Sequence, residues 1–489
     1  MQKLNSSARW GRIVMGAIFF LLVGAGVPFM YGNFSWPVVN ASMAFIIVLL
    51  VGLAKRGIMT VSDWLVLFMV LIPFHGFKIG SESVFLRLTE IVFIPLAVWW
   101  VAQRRVEANG RPAGVIQNEY VILIFFFLFS FMSSVGKSVL PFISVVRTLL
   151  LAYLAVVSFM FADVQRDMQK VWYFLRAMMV ISATTGVVAL LQSFFPVLCP
   201  FGAWPFTQIG PIVMARGGAG WENPGYYGLY LVGIMSITIS CLLSRQFPDQ
   251  TRFLKRCLVL QTIGLVSSYS RGSLFALFAG GLFLLWSYGK RLTALMILLV
   301  VVLSFFFMTV GIDIIYEKYP YLAAYFFRIG RVEWIKKEPS LIFGYRFEAW
   351  QVYMRMFLHN PILGVGPFAG RVHYNKYAGD DIPYRGWPTA PHNEFLSILS
   401  ERGLLGFCSF MLFLTTLLSH GYHRIRRHPN SPESAVLRGT TAAVICFLVF
   451  SLGGASIYDI QFWLNVGMMV AVGGLLSAKQ SLDAVPSPR

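Results

Sequence analysis

In the stretch APHNEFLSILSERGLLGF, residues 390–407, a histidine and two carboxylates stand directly before an apolar run. His392 is the side chain there that can exchange a proton near neutral pH. Thr389 and Pro391 can start a helix, since proline is tolerated in the first turn and threonine can cap the free N–H groups. In that helix Phe395, Leu396 and Leu399 share one face, and Glu394, Ser397 and Glu401 share another. The expected element is an amphipathic helix at a membrane interface, broken near Gly403 before a spanning run begins. The positive end of its dipole favours neutral imidazole at His392, the form a general base needs. A helix cap, or a bond to a loop carbonyl, is the competing assignment for this histidine.

Two arginines invite a different chemistry. Arg271 sits in YSRGS, residues 269–273, a short turn between apolar runs, with Ser270 and Gly272 beside it. An arginine so close to hydrocarbon requires an anionic partner, and guanidinium geometry suits a phosphate or a carboxylate. An ion pair with Glu222 or Asp459 would serve equally. Arg216 lies in a glycine-rich loop with Trp221, Glu222 and Asn223, just before PGYYG, where a solvated loop arginine is the alternative.

The elements that must position these residues are membrane helices. The chain has 489 residues, 57% of them hydrophobic and 12% charged, and apolar runs long enough to cross a bilayer recur along it. They fall at 13–31, 37–54, 61–77, 84–102, 119–135, 139–162, 171–195, 225–244, 256–268, 272–288, 291–312, 404–422, 435–454 and 458–477. The first has no small-residue cleavage site after it and reads as an anchor rather than a signal peptide. Alternate connections hold the basic residues, among them Lys55 and Arg56, Arg104 and Arg105, Arg245 and Lys255, and Arg424, Arg426 and Arg427. These are therefore cytoplasmic, and both termini are expected inside. The net charge of +19 reflects those loops, so no nucleic acid partner is expected. The opposite face receives the connections 196–224, 269–273 and 313–391, which bring Arg216, Arg271 and His392 to one side. The tail after Lys479 is expected to be disordered.

The long connection contains YRFEAWQVYMRMFLHNPILGVGPF. Helical spacing of Phe347, Trp350, Met354 and Phe357 predicts a helix up to about His359 with one apolar packing face, and Arg346 at its start. Pro361, Gly364 and Gly366 then end it. The cysteines (Cys199, Cys241, Cys257, Cys408, Cys446) are scattered, mostly in apolar runs, and read as packing residues. The chain has no HExxH, no carboxylates at metal spacing and no Walker sequence. Neither a metal site nor a nucleotide-driven mechanism has support.

These segments, taken together, resemble the O-antigen ligase and polysaccharide polymerase superfamily of integral membrane glycosyltransferases. The resemblance rests on RGGAGWENPGYYGLYL, SRGSLFAL, RFEAWQVYMRMFLHNPILGVGPF and HNEFLSILSERGLLGF, in that order between residues 215 and 407. It implies an all-α polytopic membrane protein of the bacterial inner membrane, GT-C-like, with about 12–14 transmembrane helices and short helices in a large periplasmic loop. The expected division is N-terminal spans at 1–195, a ligase-like core at 196–422, and C-terminal spans with a cytoplasmic tail at 423–489. The implied reaction is a metal-independent, inverting transfer on the periplasmic face, with no cofactor. A glycan passes from undecaprenyl pyrophosphate to a hydroxyl of lipid A–core (ligase) or of a second lipid-linked glycan (polymerase). By that resemblance His392 takes the acceptor proton, and Arg216 and Arg271 hold the pyrophosphate. Arg346, Asn393 and Glu401 are carried over as further substrate-binding or supporting residues, Arg346 as a lesser candidate for the pyrophosphate or the glycan. A secondary transporter is the rival class. Its ionisable candidates (Asp63, Glu90, Arg147, Arg176) lie near span ends rather than at the bilayer midplane.

Overall fold

The computed structural model describes residues 61–74, 78–80, 85–108, 118–195, 204–209, 212–221, 223–299, 346–379, 382 and 390–483. Several expectations lie outside these residues: the spans at 13–31 and 37–54, the outer part of 291–312, and residues 313–345. Cys199, Glu222, Thr389 and residues 484–489 do so as well.

The fold is all-α, with two short hairpins. Helices α1 (Val61–Leu71) and α2 (Leu88–Ala108) flank a hairpin of β1 (Lys78–Gly80) and β2 (Phe85–Arg87). There follow α3 (Asn118–Gly136), α4 (Pro141–Val164) and α5 (Met168–Phe194), then a hairpin of β3 (Trp204–Ile209) and β4 (Ile212–Arg216). Next come α6 (Pro224–Ser244), α7 (Thr251–Ser267) and α8 (Arg271–Ser287). The smaller helices α9 (Arg346–His359) and α10 (Gly370–Ala378) precede α11 (Glu394–Arg427), α12 (Pro432–Ser451) and α13 (Ile460–Asp483). Among the described residues, α3, α4, α5, α6, α11, α12 and α13 are long and apolar enough to span a bilayer. Runs of apolar residues with internal backbone bonding are what the hydrocarbon permits.

Local chemistry sets the helix starts. Proline occupies the first turn of α4, α6 and α12, where its missing N–H costs nothing. Asp167, Asn223, Ser270, Asn393 and Ser431 cap α5, α6, α8, α11 and α12 with side-chain oxygens.

Packing inside lipid depends on close backbone approach, so small residues line the contacts. Where α5 meets α7, Gly186 and Gly264 face each other, and a Cβ on Gly264 would sit 2.6 Å from the Gly186 Cα. Helices α6, α12 and α13 form the enclosed centre. α3 lies at the rim, with Phe125, Leu128, Phe131 and Val135 exposed along one side.

The structure corrects the expected boundaries in several places. Residues 85–87 are strand rather than helix. The run at 256–268 belongs to a helix that starts at Thr251. α13 continues past Lys479 to Asp483, so the tail begins later than expected. Cys241, Cys257 and Cys446 are buried, but Cys408 is exposed on α11 and packs no core. The helix expected from Thr389 and Pro391 starts instead at Glu394, with Asn393 as its cap. The helix ending at His359 forms as α9, but its buried residues are Ala349, Val352, Tyr353 and Met356. Phe347 and Met354, expected on the packing face, are exposed. Spacing identified the helix and could not distinguish two adjacent apolar sectors.

Candidate functional site

α11 is broken at Gly403, whose φ of 65° and ψ of −170° interrupt the helix after Arg402. Such a break orphans carbonyls before it and N–H groups after it. The turn following α9 satisfies both sets. Val365 N–H and Gly366 N–H donate to the carbonyls of Ser400 and Glu401 at 3.0 and 2.9 Å. Leu404 N–H and Leu405 N–H donate to the carbonyls of Pro361 and Ile362 at 2.7 and 3.3 Å. The sequence NPILGVG is thus a plug for the broken helix, and Gly364 (φ 70°) lies against the backbone of Ser400 and Glu401. A side chain at either glycine would strike main chain.

The short helix ahead of the break turns its acidic residues inward. Glu394 is buried, and its Oε2 accepts from Ser456 N–H at 2.8 Å and Ile457 N–H at 3.2 Å. This anchors the start of α11 to the turn between α12 and α13. The Glu401 carboxylate accepts from Phe368 N–H at 2.9 Å and lies 3.6 Å from the Arg402 guanidinium. Arg402, fully buried, donates to the Tyr458 hydroxyl at 3.0 Å. Each carboxylate therefore meets donors inside the protein, as burial of charge demands.

His392 lies just ahead of this helix. The Trp350 indole N–H donates to the Pro391 carbonyl at 2.7 Å, tying the segment to α9. Asn393 caps α11 by accepting from Leu396 N–H at 3.1 Å. Between these two anchors His392 adopts a left-handed backbone, φ 49°, and its side chain is exposed. Desolvation by the surrounding protein, then the charges of Arg346 and Arg371, hold its imidazole below the usual histidine range. Neutral imidazole is accordingly favoured, with nearby guanidiniums adding to the dipole effect. Arg346 opens α9, and a Cβ on Gly453 would come 3.3 Å from its Nη1.

The two loop arginines belong to a neighbouring corner. Arg216, at the end of β4, is buried and not a solvated loop residue; its Nε donates to the Ser268 carbonyl at 2.9 Å. Gly217 N–H adds a bond to the Ser267 carbonyl at 2.9 Å. Arg216 thereby braces the turn that leads to Arg271. Arg271 is exposed in the first turn of α8, which Ser270 caps through Ser273 N–H. The Ser273 hydroxyl donates to the Gly225 carbonyl at 3.2 Å, joining the starts of α8 and α6. Phe450 packs beside Gly272 and Gly454, so this corner adjoins the same α12–α13 turn that Glu394 and Arg346 touch. The sequence-singled residues Arg216, Arg271, Arg346, His392, Asn393 and Glu401 all lie around that end of the bundle.

Sequence reasoning missed two further arginines. Arg147, weighed only as a span-end charge, lies in α4 with its guanidinium 4.1 Å from the Phe368 ring centroid. Arg371, in α10, lies 5.5 Å from the same centroid, and its charge reaches His392. Nothing in the spacing around Arg371 marked it, since its place depends on how α10 folds back onto α9. Among the described residues, no group of three or more His, Cys, Asp or Glu converges as a metal site would require.

Fold and cluster define a polytopic all-α membrane protein with an arginine-rich, histidine-bearing site at one end of its bundle. Residues 257–411 match the family model described as O-antigen ligase. Over that segment the chain is similar to the O-antigen ligase family. The match includes Arg271, Arg346, His392, Asn393 and Glu401; Arg216 precedes it. No curated protein matches the chain.

Proposed function

We propose that this protein transfers a glycan from undecaprenyl pyrophosphate to an acceptor hydroxyl at the periplasmic face of the inner membrane, without metal or nucleotide and with inversion. The ligase-like core would span 196–422, with both termini cytoplasmic, as the basic connections suggest. The observation that carries the reading is an exposed, neutral-favoured His392 within reach of the charges of Arg346 and Arg371, two residues ahead of Glu394, which bonds the α12–α13 turn that Arg271 also adjoins.

In the proposed step His392 accepts the proton of the acceptor hydroxyl. The hydroxyl oxygen bonds to the anomeric carbon from the side opposite the pyrophosphate, and the bond from that carbon to the phosphate oxygen breaks. Undecaprenyl pyrophosphate leaves with the electron pair. Arg271 meets its growing negative charge, and Arg216 fixes the turn from which Arg271 projects. Preorganised cations of this kind contribute much of the barrier lowering in such transfers. Arg346 is a second guanidinium for the donor or its glycan. Asn393 caps the helix behind His392, and Glu401 orients the backbone at Phe368 rather than acting as a base.

The purified protein in lipid, given an undecaprenyl pyrophosphate oligosaccharide and neither metal nor nucleotide, tests this directly. A single product on lipid A–core, the expected result, makes the protein a ligase. A ladder from donor alone makes the protein a polymerase. No His392-dependent transfer to either acceptor would bring the transporter class forward.

Two further outcomes are expected in that assay. Arg271→Ala should lower transfer by about 10²-fold while the protein elutes unchanged, because the side chain is exposed. Full activity would remove the pyrophosphate role. Arg216→Ala should also weaken donor use, with some loss of stability from the vacated Ser268 carbonyl. The second outcome concerns pH. A base whose pKa is lowered stays unprotonated to lower pH, so the acid limb of kcat/KM should fall below about 6.5, the ordinary histidine value. Arg371→Gln removes a positive charge and should move that limb upward; an unmoved limb would separate Arg371 from the histidine.

A further inference from the structure

Helix α9 carries more apolar surface than its neighbours among the described residues cover. Its side chains fall into three sectors. Ala349, Val352, Tyr353 and Met356 are buried against α10 and α11. Glu348, Gln351, Arg355 and His359 form a polar strip. Phe347, Met354 and Leu358 occupy the remaining sector, at 50%, 41% and 66% exposure, and Ile362 in the following turn is 64% exposed. A helix packed in water-soluble protein would leave that last sector polar.

The exposed sector runs without interruption onto a spanning helix. The carbonyls of Pro361 and Ile362 bond the N–H groups of Leu404 and Leu405, so Ile362 stands beside the first turn of α11 after its break. Leu404, Leu405 and Leu412 are exposed there. On the other side, the Ser144 hydroxyl donates to the Pro367 carbonyl at 2.7 Å, and Gly366 packs on Ser138. That brings the exposed Val139 and Phe142, at and just before the start of α4, next to the same turn after α9. One apolar surface therefore passes from two membrane helices onto α9, and the polar strip marks where it ends.

We infer that α9 and the turn to Leu363 lie in the bilayer interface, with Phe347, Met354, Leu358 and Ile362 among the acyl chains of the adjoining leaflet. An apolar sector alongside a polar strip is the pattern of an interfacial helix. Gln351 and His359 of the polar strip face water, and the Trp350 bond to the Pro391 carbonyl sets His392 at headgroup depth. This inference rests on the membrane fold alone and not on the reaction proposed above.

Nitroxide accessibility tests it in the full-length protein, with Cys199 and Cys408 replaced by serine, in vesicles of phosphatidylethanolamine and phosphatidylglycerol. Labels go on Leu358→Cys, Met354→Cys and Phe347→Cys in the apolar sector and on His359→Cys in the polar strip. Oxygen collision is expected to exceed that of a water-soluble nickel chelate several-fold at 347, 354 and 358, with the order reversed at 359. Equal access of the chelate to both sectors would overturn the inference by placing α9 in water. Exclusion of both relaxants at 347, 354 and 358 would overturn it by showing a protein cover, from another segment of the chain or a second copy. The labelled sites are exposed on α9 and independent of one another, so a single misfolded variant leaves the test intact.

Discussion

Replacing His392 with alanine is expected to reduce glycan transfer by about 10²- to 10⁴-fold, the range for a lost general base. The ring makes no hydrogen bond among the described residues and is exposed, so the fold loses little with it. Its backbone is the complication, because φ is 49° and alanine disfavours that region. His392→Asn resolves this. Asparagine is among the residues that enter the left-handed region most readily, yet it cannot take a proton from a hydroxyl. Both variants should therefore be inactive and only the alanine form slightly destabilised. Transfer retained by His392→Asn would assign the histidine a conformational role and end its role as base.

Gly403→Ala should be the most damaging of the small substitutions. At φ 65° and ψ −170° the backbone occupies a region essentially reserved for glycine, where another residue costs about 1–3 kcal/mol. A Cβ there would also lie 2.2 Å from the Ile362 carbonyl oxygen. That oxygen bonds Leu405 N–H, and the adjacent Pro361 carbonyl bonds Leu404 N–H, so relief of the clash opens the plug. The variant is expected to lose several degrees of thermal stability in detergent and to elute as aggregate. Gly281→Ala, where a Cβ meets nothing within 4 Å, serves as the control. A Gly403→Ala protein as stable as that control would mean that the break in α11 relaxes freely.

The membrane character of the chain was legible because hydropathy is a summed property that tolerates local error. The run from Pro141 to Val164 spans a bilayer whatever surrounds any one residue of it. Hairpins β1–β2 and β3–β4 were not legible, since residues 78–87 and 204–216 carry no sustained alternation. The break at Gly403 could be read from its glycine, but not the partner that fills it, because the Val365–Ser400 bond joins segments whose pairing no periodicity records. α9 shows the limit most clearly. Phe347, Trp350, Met354 and Phe357 do share a face, and that face is where a packing helix would be sought, yet Phe347 and Met354 are turned outward. Hydrophobic periodicity gives the direction of apolar surface without saying whether protein or lipid receives it. Arg371 and Arg147 escaped for a related reason: a charge declares its position only through what folds around it.

The anchoring of Glu394 bears on how the molecule is made. The backbone donors that hold this carboxylate, Ser456 and Ile457, lie 62 and 63 residues further along the chain. Tyr458, which receives Arg402, comes later still. A ribosome that has released α11 has already synthesised Arg216, Arg271, Arg346 and His392, yet none of the donors that seat the histidine-bearing helix. A nascent chain ending at His428 would hold every candidate residue and no finished site. The centre therefore cannot be completed until the α12–α13 turn has been made, and truncation before Ser456, with the matched segment 257–411 intact, is expected to abolish the proposed transfer in the same assay.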